Sequence, residues 1–580
     1  METTNIISSK NLKYRFLELL TIILFVFGGF QTYNANENNV TITNVVCQNP
    51  GSANPQISFY LSWNNSWRTT SIAPYNYDAI WVFVKTQYVP NTAVNCETTN
   101  PWTHAKMNAT TANDTVGYPL QFSLPLPTDR MGIFIQRSVD GTGNIQPTRV
   151  SLFLDQALGT PTPGSFNFKV FAIEMVYIPT GAFTLGDGTS TNYLTKAINS
   201  ATDQPGTNGA LTLQDCWDVA SIPAAYPNGY SSFYAMKYEI SQQQYVEFLN
   251  TLTYAQQASR TAIAPNTTAT VAGTYAMYSQ AGSVAAQNRN SIKLIQSGIA
   301  ATSTPAVYGC DLALAPGDPF NSTVDGKNIA MNYMKYDDLL AYLDWAALRP
   351  MTNFEFEKVC RGSGVAAVGQ ESAVGVAVNV TAPTAANSGA LSNAGQSSEV
   401  STSTANASGL FAYNSIAANG PLRVGFAATS STTRVGAGAG YYGAMDMSGN
   451  VWEMVVGGWD PRQSGYKITV ANNGDGTLDA SGNANTTNWQ NGTYTGVIDN
   501  QWYSLCTAVN YWHFEFRGGA YDQAASTLRV SDRSYNGGNV CGYYCSCADP
   551  GHNSASYGYG NTATQSRLAN AGGRGVRSYP

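Results

Sequence analysis

The stretch Met445-Asp-Met-Ser-Gly-Asn-Val-Trp-Glu453 decides the fold of this chain. It carries two carboxylates, Asp446 and Glu453, seven residues apart, with Gly449 between them. A tight turn at the glycine would bring both carboxylates and the turn carbonyls onto one hard cation, since calcium takes about six to eight such oxygens. The alternative is a turn capped by Asp446, with Glu453 paired to an arginine.

Five further segments accompany this stretch in order along the chain. They are Glu174-Met-Val-Tyr-Ile-Pro-Thr-Gly-Ala-Phe-Thr-Leu-Gly186, Met236-Lys-Tyr-Glu-Ile-Ser241, Arg349-Pro-Met-Thr-Asn-Phe-Glu-Phe-Glu357, Phe516-Arg-Gly-Gly-Ala-Tyr521 and Gly573-Arg-Gly-Val-Arg577. The six together resemble the formylglycine-generating enzyme, or sulfatase-modifying factor, domain family. The resemblance implies an α+β, loop-rich, C-type-lectin-like domain over residues 171–580.

The resemblance also implies calcium. Carried over position by position, the ligands are the side chains of Asp446 and Glu453 and the carbonyls of Gly449 and Val451. A second calcium of the family would fall on Asn387 and the Ser388 carbonyl.

Copper is not expected. The oxidases of the family hold copper(I) with two thiolates five residues apart, shortly after the Arg-Gly-Gly motif, because that metal requires soft ligands. The matching positions here are Gln523 and, near the second, Leu528. The sequence therefore argues against sulfatase maturation.

Composition excludes other classes of function. Charged residues make up 11% of the chain and the net charge is −6, which offers no footprint for nucleic acid. Only three histidines are present, which argues against a multi-histidine metal site.

Residues 40–170 predict a β-sandwich. Apolar and polar residues alternate in Ile57–Trp63, Ile80–Val84, Gly132–Gln136, Val150–Leu154 and Phe166–Ala172. Turn formers, Asn64-Asn65 and Asp140-Gly141, separate some of these segments. The boundary with the next domain is expected near residue 170.

The second domain predicts three helices. Ser241 is a candidate N-cap for Gln242–Leu252, and Lys335–Leu348 and Asn353–Arg361 show helical spacing. The stretches 363–440 and 460–500 show little periodicity, so loops held by disulfides or cations are expected there.

The first 35 residues predict a secretory signal. Lys10, Lys13 and Arg15 precede the apolar run Leu19–Phe30, and a polar stretch follows. A retained membrane anchor is the alternative. An exported chain with nine cysteines favours disulfides, and Cys47 with Cys96 is the expected first pair.

The C-terminal 65 residues have an unusual composition. They contain no Lys, Glu, Met or Trp, although these types number 48 of 580 residues overall and about five would be expected. Tyr, Ser, Gly and Asn dominate instead, as in antibody recognition loops. This region resembles the variable region of diversity-generating-retroelement proteins, and a glycine-rich loop without a partner is the alternative.

The sequence therefore predicts an exported, non-catalytic protein that binds a protein or glycan ligand on a cell or phage surface. Recognition loops are expected at 520–575, with a ligand surface of Tyr521, Tyr535, Tyr543, Tyr544, His552, Tyr557 and Tyr559. One alternative is an oxidoreductase of the same family acting on a peptide or small molecule. A structural surface or matrix component is the other.

Overall fold

The structure is a computed structural model. It describes residues 33–34, 40–48, 54–90, 100–109, 114–155, 164–190, 195–203, 226–269, 274–278, 286–312, 320, 322–386, 391–414, 418–456, 472–485, 489, 514–532 and 567–579. The chain divides into two compact units, the first from residues up to 68 and 79–173, the second from 69–78 and 174–579.

The first unit contains strands and no helix among its described residues. The strands that lie wholly or partly in it are β1 (Tyr33–Asn34), β2 (Thr41–Gln48), β3 (Gln56–Thr69), β4 (Asn76–Pro90), β5 (Trp102–Ala105), β6 (Thr115–Val116), β7 (Leu120–Phe122), β8 (Ile133–Arg137), β9 (Gly141–Phe153) and β10 (Gly164–Ile178). Antiparallel pairing joins β2 to β1 and β3, β9 to β3 and β6, and β8 to β4 and β7.

Side-chain alternation builds the core of the first unit. Ile57, Phe59, Leu61 and Trp63 on β3 are all at most 1% exposed, because alternate residues of a strand point to the same face. They belong to one hydrophobic cluster that also takes residues from β2, β4, β8 and β9. The five predicted strand segments are confirmed.

The expected turn at Asn64-Asn65 is wrong. β3 runs through both residues and stays paired with β9, with the register shifting between Trp63 and Ser66. Asn65 has a φ of 53°, and asparagine tolerates this left-handed conformation better than most residues do. An irregularity inside a long strand thus has the same residue signature as a turn.

The second unit mixes helices with short strands. The helices are α1 (Gln242–Leu249), α2 (Tyr254–Arg260), α3 (Tyr336–Trp345) and α4 (Asn353–Arg361). The strands are β11 (Phe183–Leu185), β12 (Lys196–Ile198), β13 (Phe233–Met236), β14 (Ile292–Gln296), β15 (Val307–Cys310), β16 (Arg349–Pro350), β17 (Thr384–Ala385), β18 (Leu391–Ser392), β19 (Val400–Ser401), β20 (Leu410–Phe411), β21 (Trp452–Val456), β22 (Phe514–Arg517), β23 (Ala571–Gly572) and β24 (Gly575–Ser578).

The three predicted helices are confirmed as α1, α3 and α4, the first two being shorter than predicted. Ser241 caps α1, and Gln244 returns the bond in a capping box. Helix α2 was not predicted from the sequence. Its signal is the pair Thr253 and Gln256, which forms a second capping box.

Two groups of paired strands position the site. The last residues of β10 pair with β13, and β24 pairs with β13 and β16. Strand β21 lies between β22, antiparallel, and β23, parallel. The described part of 363–440 holds no regular element longer than two residues, as expected. Among the described residues, no helix is both long enough and apolar enough to cross a membrane.

Candidate functional site

The segment 445–453 forms a sharp turn that leads directly into β21. Gly449 has a φ of 85°, and a Cβ atom there would lie 2.4 Å from the carbonyl oxygen of Ala412. Its N–H donates to the Gly518 carbonyl at 2.7 Å. Both the conformation and the close approach require glycine at this position.

Asp446 is one of the two predicted carboxylates, and it is 5% exposed. Its Oδ2 accepts the backbone N–H of Gly425. Burial raises the pKa of Asp446 to about 6, which the Gly425 hydrogen bond and Arg574 partly oppose. Asp446 thus connects the segment 445–453 to the backbone at Gly425.

Glu453, the second carboxylate, pairs with Arg574. Its Oε1 lies 2.8 Å from Nε and 2.6 Å from Nη2 of that arginine. Its Oε2 is buried and has no hydrogen-bond partner among the residues that the structure describes. Burial raises the pKa of Glu453, and the charge of Arg574 lowers it.

Glu239 is a third buried carboxylate that was not predicted from the sequence. Its Oε2 accepts from Asn450 Nδ2 at 2.6 Å, and its Oε1 accepts from the N–H of Val451 at 3.1 Å. Burial and the charge of Asp446 raise its pKa well above the ordinary value. Its only sequence signal was its place in the segment 236–241.

Three carboxylates therefore surround one guanidinium. The remaining N–H groups of Arg574 donate to the carbonyls of Met236, Lys237 and Met445. Arg423 is a second cation, and its charge also lowers the pKa of Asp446. Two positive charges face three carboxyl groups whose pKa values are all raised, so the cluster favours a protonated carboxyl over a third negative charge. A buried charge without compensation is costly.

The pairing of Glu453 with Arg574 is the arrangement that the alternative to calcium predicted, and calcium binding itself stays a prediction. Asp446 supplies a carboxylate, and the unpartnered Oε2 of Glu453 is free to coordinate a cation. Within the described ranges, no three His, Cys, Asp or Glu side chains form a group that would hold a metal. The predicted set uses only two side chains, with the carbonyls of Gly449 and Val451, so that finding does not test it.

Comparison with known families identifies the family of this chain. Residues 167–539 match the family described as Sulfatase-modifying factor enzyme 1-like domain. This chain belongs to the sulfatase-modifying factor family. The solved structure of PvdO from Pseudomonas aeruginosa is 12% identical, covers 70% of this chain and 95% of its own, and has a TM-score of 0.29. No curated protein matches the sequence.

The positions that hold thiolates in the family's oxidases carry other chemistry here. Leu528 is fully buried and packs in a hydrophobic cluster with Val374, Phe411 and Tyr413. Gln523 uses its side-chain amide to donate to Asp522 at 3.1 Å. Neither side chain offers a soft ligand for copper(I), and the absence of the oxidase site stays a prediction.

Tyr521 does not lie on a surface. It is 2% exposed and packs in a hydrophobic cluster with Leu410, Leu422 and Phe426. Its hydroxyl donates to the Ala569 carbonyl at 3.4 Å. Tyr521 comes directly after the segment 516–520 and lies in the core of the domain. It is therefore no longer a candidate for ligand binding.

Several predicted residues lie outside the described part of the chain. They are the signal segment up to Thr32, Cys96, Asn387, Tyr535, Tyr543, Tyr544, His552, Tyr557 and Tyr559.

The cysteines that the structure describes are thiols. Cys310 and Cys360 are buried, the latter on α4, while Cys47 on β2 is partly buried. Burial raises the pKa of Cys47 to about 12, so this thiol is not reactive near neutral pH. Its pairing with Cys96 remains a prediction.

Proposed function

We propose that this member of the sulfatase-modifying factor family is an exported, non-catalytic protein that displays a ligand-binding surface. The observation that carries the proposal is Leu528, which lies fully buried in a hydrophobic cluster where an oxidase needs a thiolate. A buried leucine cannot bind a metal, and Gln523 offers only a hard amide. In this proposal the oxidase activity is absent, while the domain keeps a buried framework in which Arg517 pairs with Glu357.

The two units would serve different purposes in such a protein. We take the first as a β-sandwich that carries the second, because its cluster joins residues from strands of two antiparallel sets. The second would be a C-type-lectin-like domain. The scarcity of long elements and the many glycines in the left-handed region support this assignment.

Recognition is proposed to lie in the loops at 520–575, the region predicted from composition. Tyr543, Tyr544, Tyr557 and Tyr559 supply large amphipathic side chains among small flexible residues, which suits binding of a protein or glycan. The ligand would belong to a cell or phage surface. Variation of this segment by a diversity-generating retroelement would fit its restricted set of residue types.

Calcium is proposed as a structural ion. Asp446, Glu453 and the carbonyls of Gly449 and Val451 would hold it, and its charge would favour ionisation of the buried carboxyl groups around it. Calcium would stabilise the turn without taking part in a reaction. Export through the segment 1–35 would place the protein where calcium is abundant.

Two experiments test the function. The purified full chain is incubated with a sulfatase-type cysteine peptide, copper(I) and oxygen, and mass spectrometry is expected to detect no formylglycine above a no-enzyme control. An aldehyde product would restore the oxidoreductase alternative.

The second experiment replaces Tyr543, Tyr544, Tyr557 and Tyr559 together by Ser. The matched control is Tyr118→Ser, because Tyr118 in the first unit is 82% exposed. Binding to cell-surface and phage-derived material should be lost only in the fourfold variant, with both proteins folded. Undiminished binding by the folded fourfold variant would place recognition elsewhere, and its unfolding would show that these tyrosines form core.

A further inference from the structure

A second cluster of buried charge lies apart from the calcium candidate, around Asp338 at the start of α3. Asp338 is fully buried, and Arg260 and Arg567 both converge on it. Arg260 Nη1 lies 3.3 Å from Oδ1, and Arg567 Nη1 lies 3.0 Å from Oδ2. The two arginine side chains are 4% and 5% exposed. One carboxylate thus faces two buried guanidinium groups.

Both guanidinium groups have N–H donors to spare. The Nε–H groups of Arg260 and Arg567 are buried, and neither donates to an acceptor within the part of the chain that the structure describes. Buried polar groups in folded proteins are hydrogen-bonded to protein or to ordered solvent in the great majority of cases. Two unpartnered donors around one carboxylate therefore need an explanation.

Two other buried arginines of the same unit, Arg574 and Arg349, are fully bonded. Arg574 donates from all three nitrogens to Glu453 and to three carbonyls. Arg349 donates to Glu355, to the Pro350 carbonyl and to Ser578. The fold can thus satisfy every donor of a buried guanidinium, as it does for Arg574 and Arg349.

The surroundings of the pair are positively charged. Lys335 caps α3 and is half-buried, and its pKa is lowered first by burial and then by the charge of Arg567. Asp337 and Asp338 are the nearby acids, so three cations face two carboxylates. The amino end of α3, a helix of ten residues, adds partial positive charge. The balance at this place lacks one negative charge.

The remaining contacts fix the two arginines in place. Arg260 ends α2, and its Nη2 donates to Asn483 Oδ1 at 3.0 Å. Arg567 Nη2 reaches the Ser259 carbonyl at 3.4 Å. The backbone carbonyl of Arg260 also accepts the hydroxyl of Tyr245 at 2.9 Å. The two guanidinium groups are thus held by several elements before any ligand arrives, which lowers the entropy lost on binding.

We propose that Arg260 and Arg567 together bind one small oxoanion, a carboxylate, sulfate or phosphate group, between the end of α2 and the start of α3. An oxoanion offers an oxygen to each free Nε–H, and its charge balances the site. Hydrogen bonds between guanidinium and oxoanion are among the strongest in proteins. The site does not depend on the recognition loops or on calcium. The anion-binding proposal can therefore be tested independently of the proposed function.

The test measures binding to the full chain by isothermal titration calorimetry. Sodium sulfate, sodium phosphate and sodium acetate are titrated separately, at constant ionic strength held with sodium chloride. At least one of the three should bind saturably with one site per chain. Preference for acetate would indicate a carboxylate ligand, and preference for sulfate or phosphate a tetrahedral one.

Variants locate the site. R260Q and R567Q should each weaken binding at least tenfold. R260K and R567K keep the charge but lose Nε–H, and should give intermediate affinity. The matched control is R149Q, which removes an exposed arginine of the first unit and should leave binding unchanged.

Two outcomes would overturn the proposal. The first is the absence of saturable binding of all three anions to the wild-type chain, which would mean that water satisfies the two donors. The second is binding that the folded Lys variants leave unchanged, so the test holds even if the Gln variants unfold.

Discussion

The two units of this chain use opposite means of holding themselves together. The first has an apolar core in which Ile57, Leu61 and Trp63 are at most 1% exposed. Its described ion pairs, Arg68–Asp140 and Arg130–Asp155, have side chains between 17% and 35% exposed. In that unit, these ion pairs lie at the periphery.

The second unit places charge inside. The pairs Arg349–Glu355, Arg517–Glu357 and Arg574–Glu453 have every side chain at most 2% exposed. Arg517 bonds Glu357 at 3.1 Å and also the Val530 carbonyl, so it connects α4, β22 and an irregular segment. Where strands are short, charged hydrogen bonds replace backbone ladders in holding loops together.

This difference predicts how much stability each unit loses when a charged residue is removed. Exposed ion pairs contribute little, about 0–1 kcal/mol, whereas removal of one partner of a buried pair costs about 3–5 kcal/mol. The first unit should therefore tolerate loss of a charge, and the second should not. The following predictions test this contrast, in order of decreasing effect.

The largest effect is expected from Arg574→Leu. It leaves Glu453, Asp446 and Glu239 buried without the guanidinium that they surround, and should destabilise the second unit by about 3–5 kcal/mol. Urea unfolding measures the loss, with Arg68→Leu in the first unit as the matched control. A loss for Arg574→Leu as small as that of the control would remove the contrast between the units.

Calcium should produce the next largest effect. An ion that binds only the folded state stabilises by about 2.7 kcal/mol at a hundredfold excess over Kd. Thermal melts of the second unit should therefore rise by several degrees with calcium relative to chelator, and the first unit should not respond. Asp446→Asn and Glu453→Gln should remove the difference, while Asp140→Asn should keep it. Identical melts of the wild type with and without calcium would refute the calcium site.

The loss of a helix cap should have a smaller effect on stability. Thr253 Oγ1 accepts the Gln256 N–H at 3.4 Å, and the Thr253 N–H donates to Gln256 Oε1 at 3.0 Å. Thr253→Ala should cost about 1 kcal/mol in the second unit, and Thr253→Ser, which keeps the hydroxyl, should cost much less. Equal losses for the two variants would show that packing of the methyl group, and not the cap, matters at this position.

The smallest effect concerns pH and the first unit. Burial raises the pKa of Asp114 from 3.8 to about 6, although its Oδ1 accepts the Phe153 N–H at 2.8 Å. A raised pKa means that the folded state binds the proton more tightly, so stability falls as pH rises from about 4 to about 6. The variant Asp114→Asn has an amide oxygen that can still accept the Phe153 N–H, and it cannot ionise.

The measurement is the stability of Asp114→Asn relative to the wild type in the first unit, between about pH 4 and about pH 7. The stability of the variant relative to the wild type should increase as pH rises through this window. Because Asp114 is only partly buried, solvent screens the effect and the gain should be less than that of a lost cap. A constant difference across this pH range would contradict the prediction.

The sequence determined the local features of this protein. Alternation along Ile57–Trp63 predicts a strand, and Ser241 before a helical pattern predicts the start of α1, because both depend on neighbouring residues. The order of the six motifs predicts the family, and Leu528 in place of a cysteine predicts the missing copper site. Each of these inferences needs only residues that are close in sequence or matched by position.

Only the tertiary structure decided which distant groups meet. Glu453 pairs with Arg574 across 121 positions, and Glu239 joins them across 211 positions through Asn450. Tyr521 is buried although its composition predicted a surface, since the loop that carries it turns into the core. Long-range partners are chosen by the path of irregular loops, and such loops have no periodicity that a sequence pattern could reveal. The first unit was therefore predictable from its strands, while the charge clusters of the second appeared only once the chain was folded.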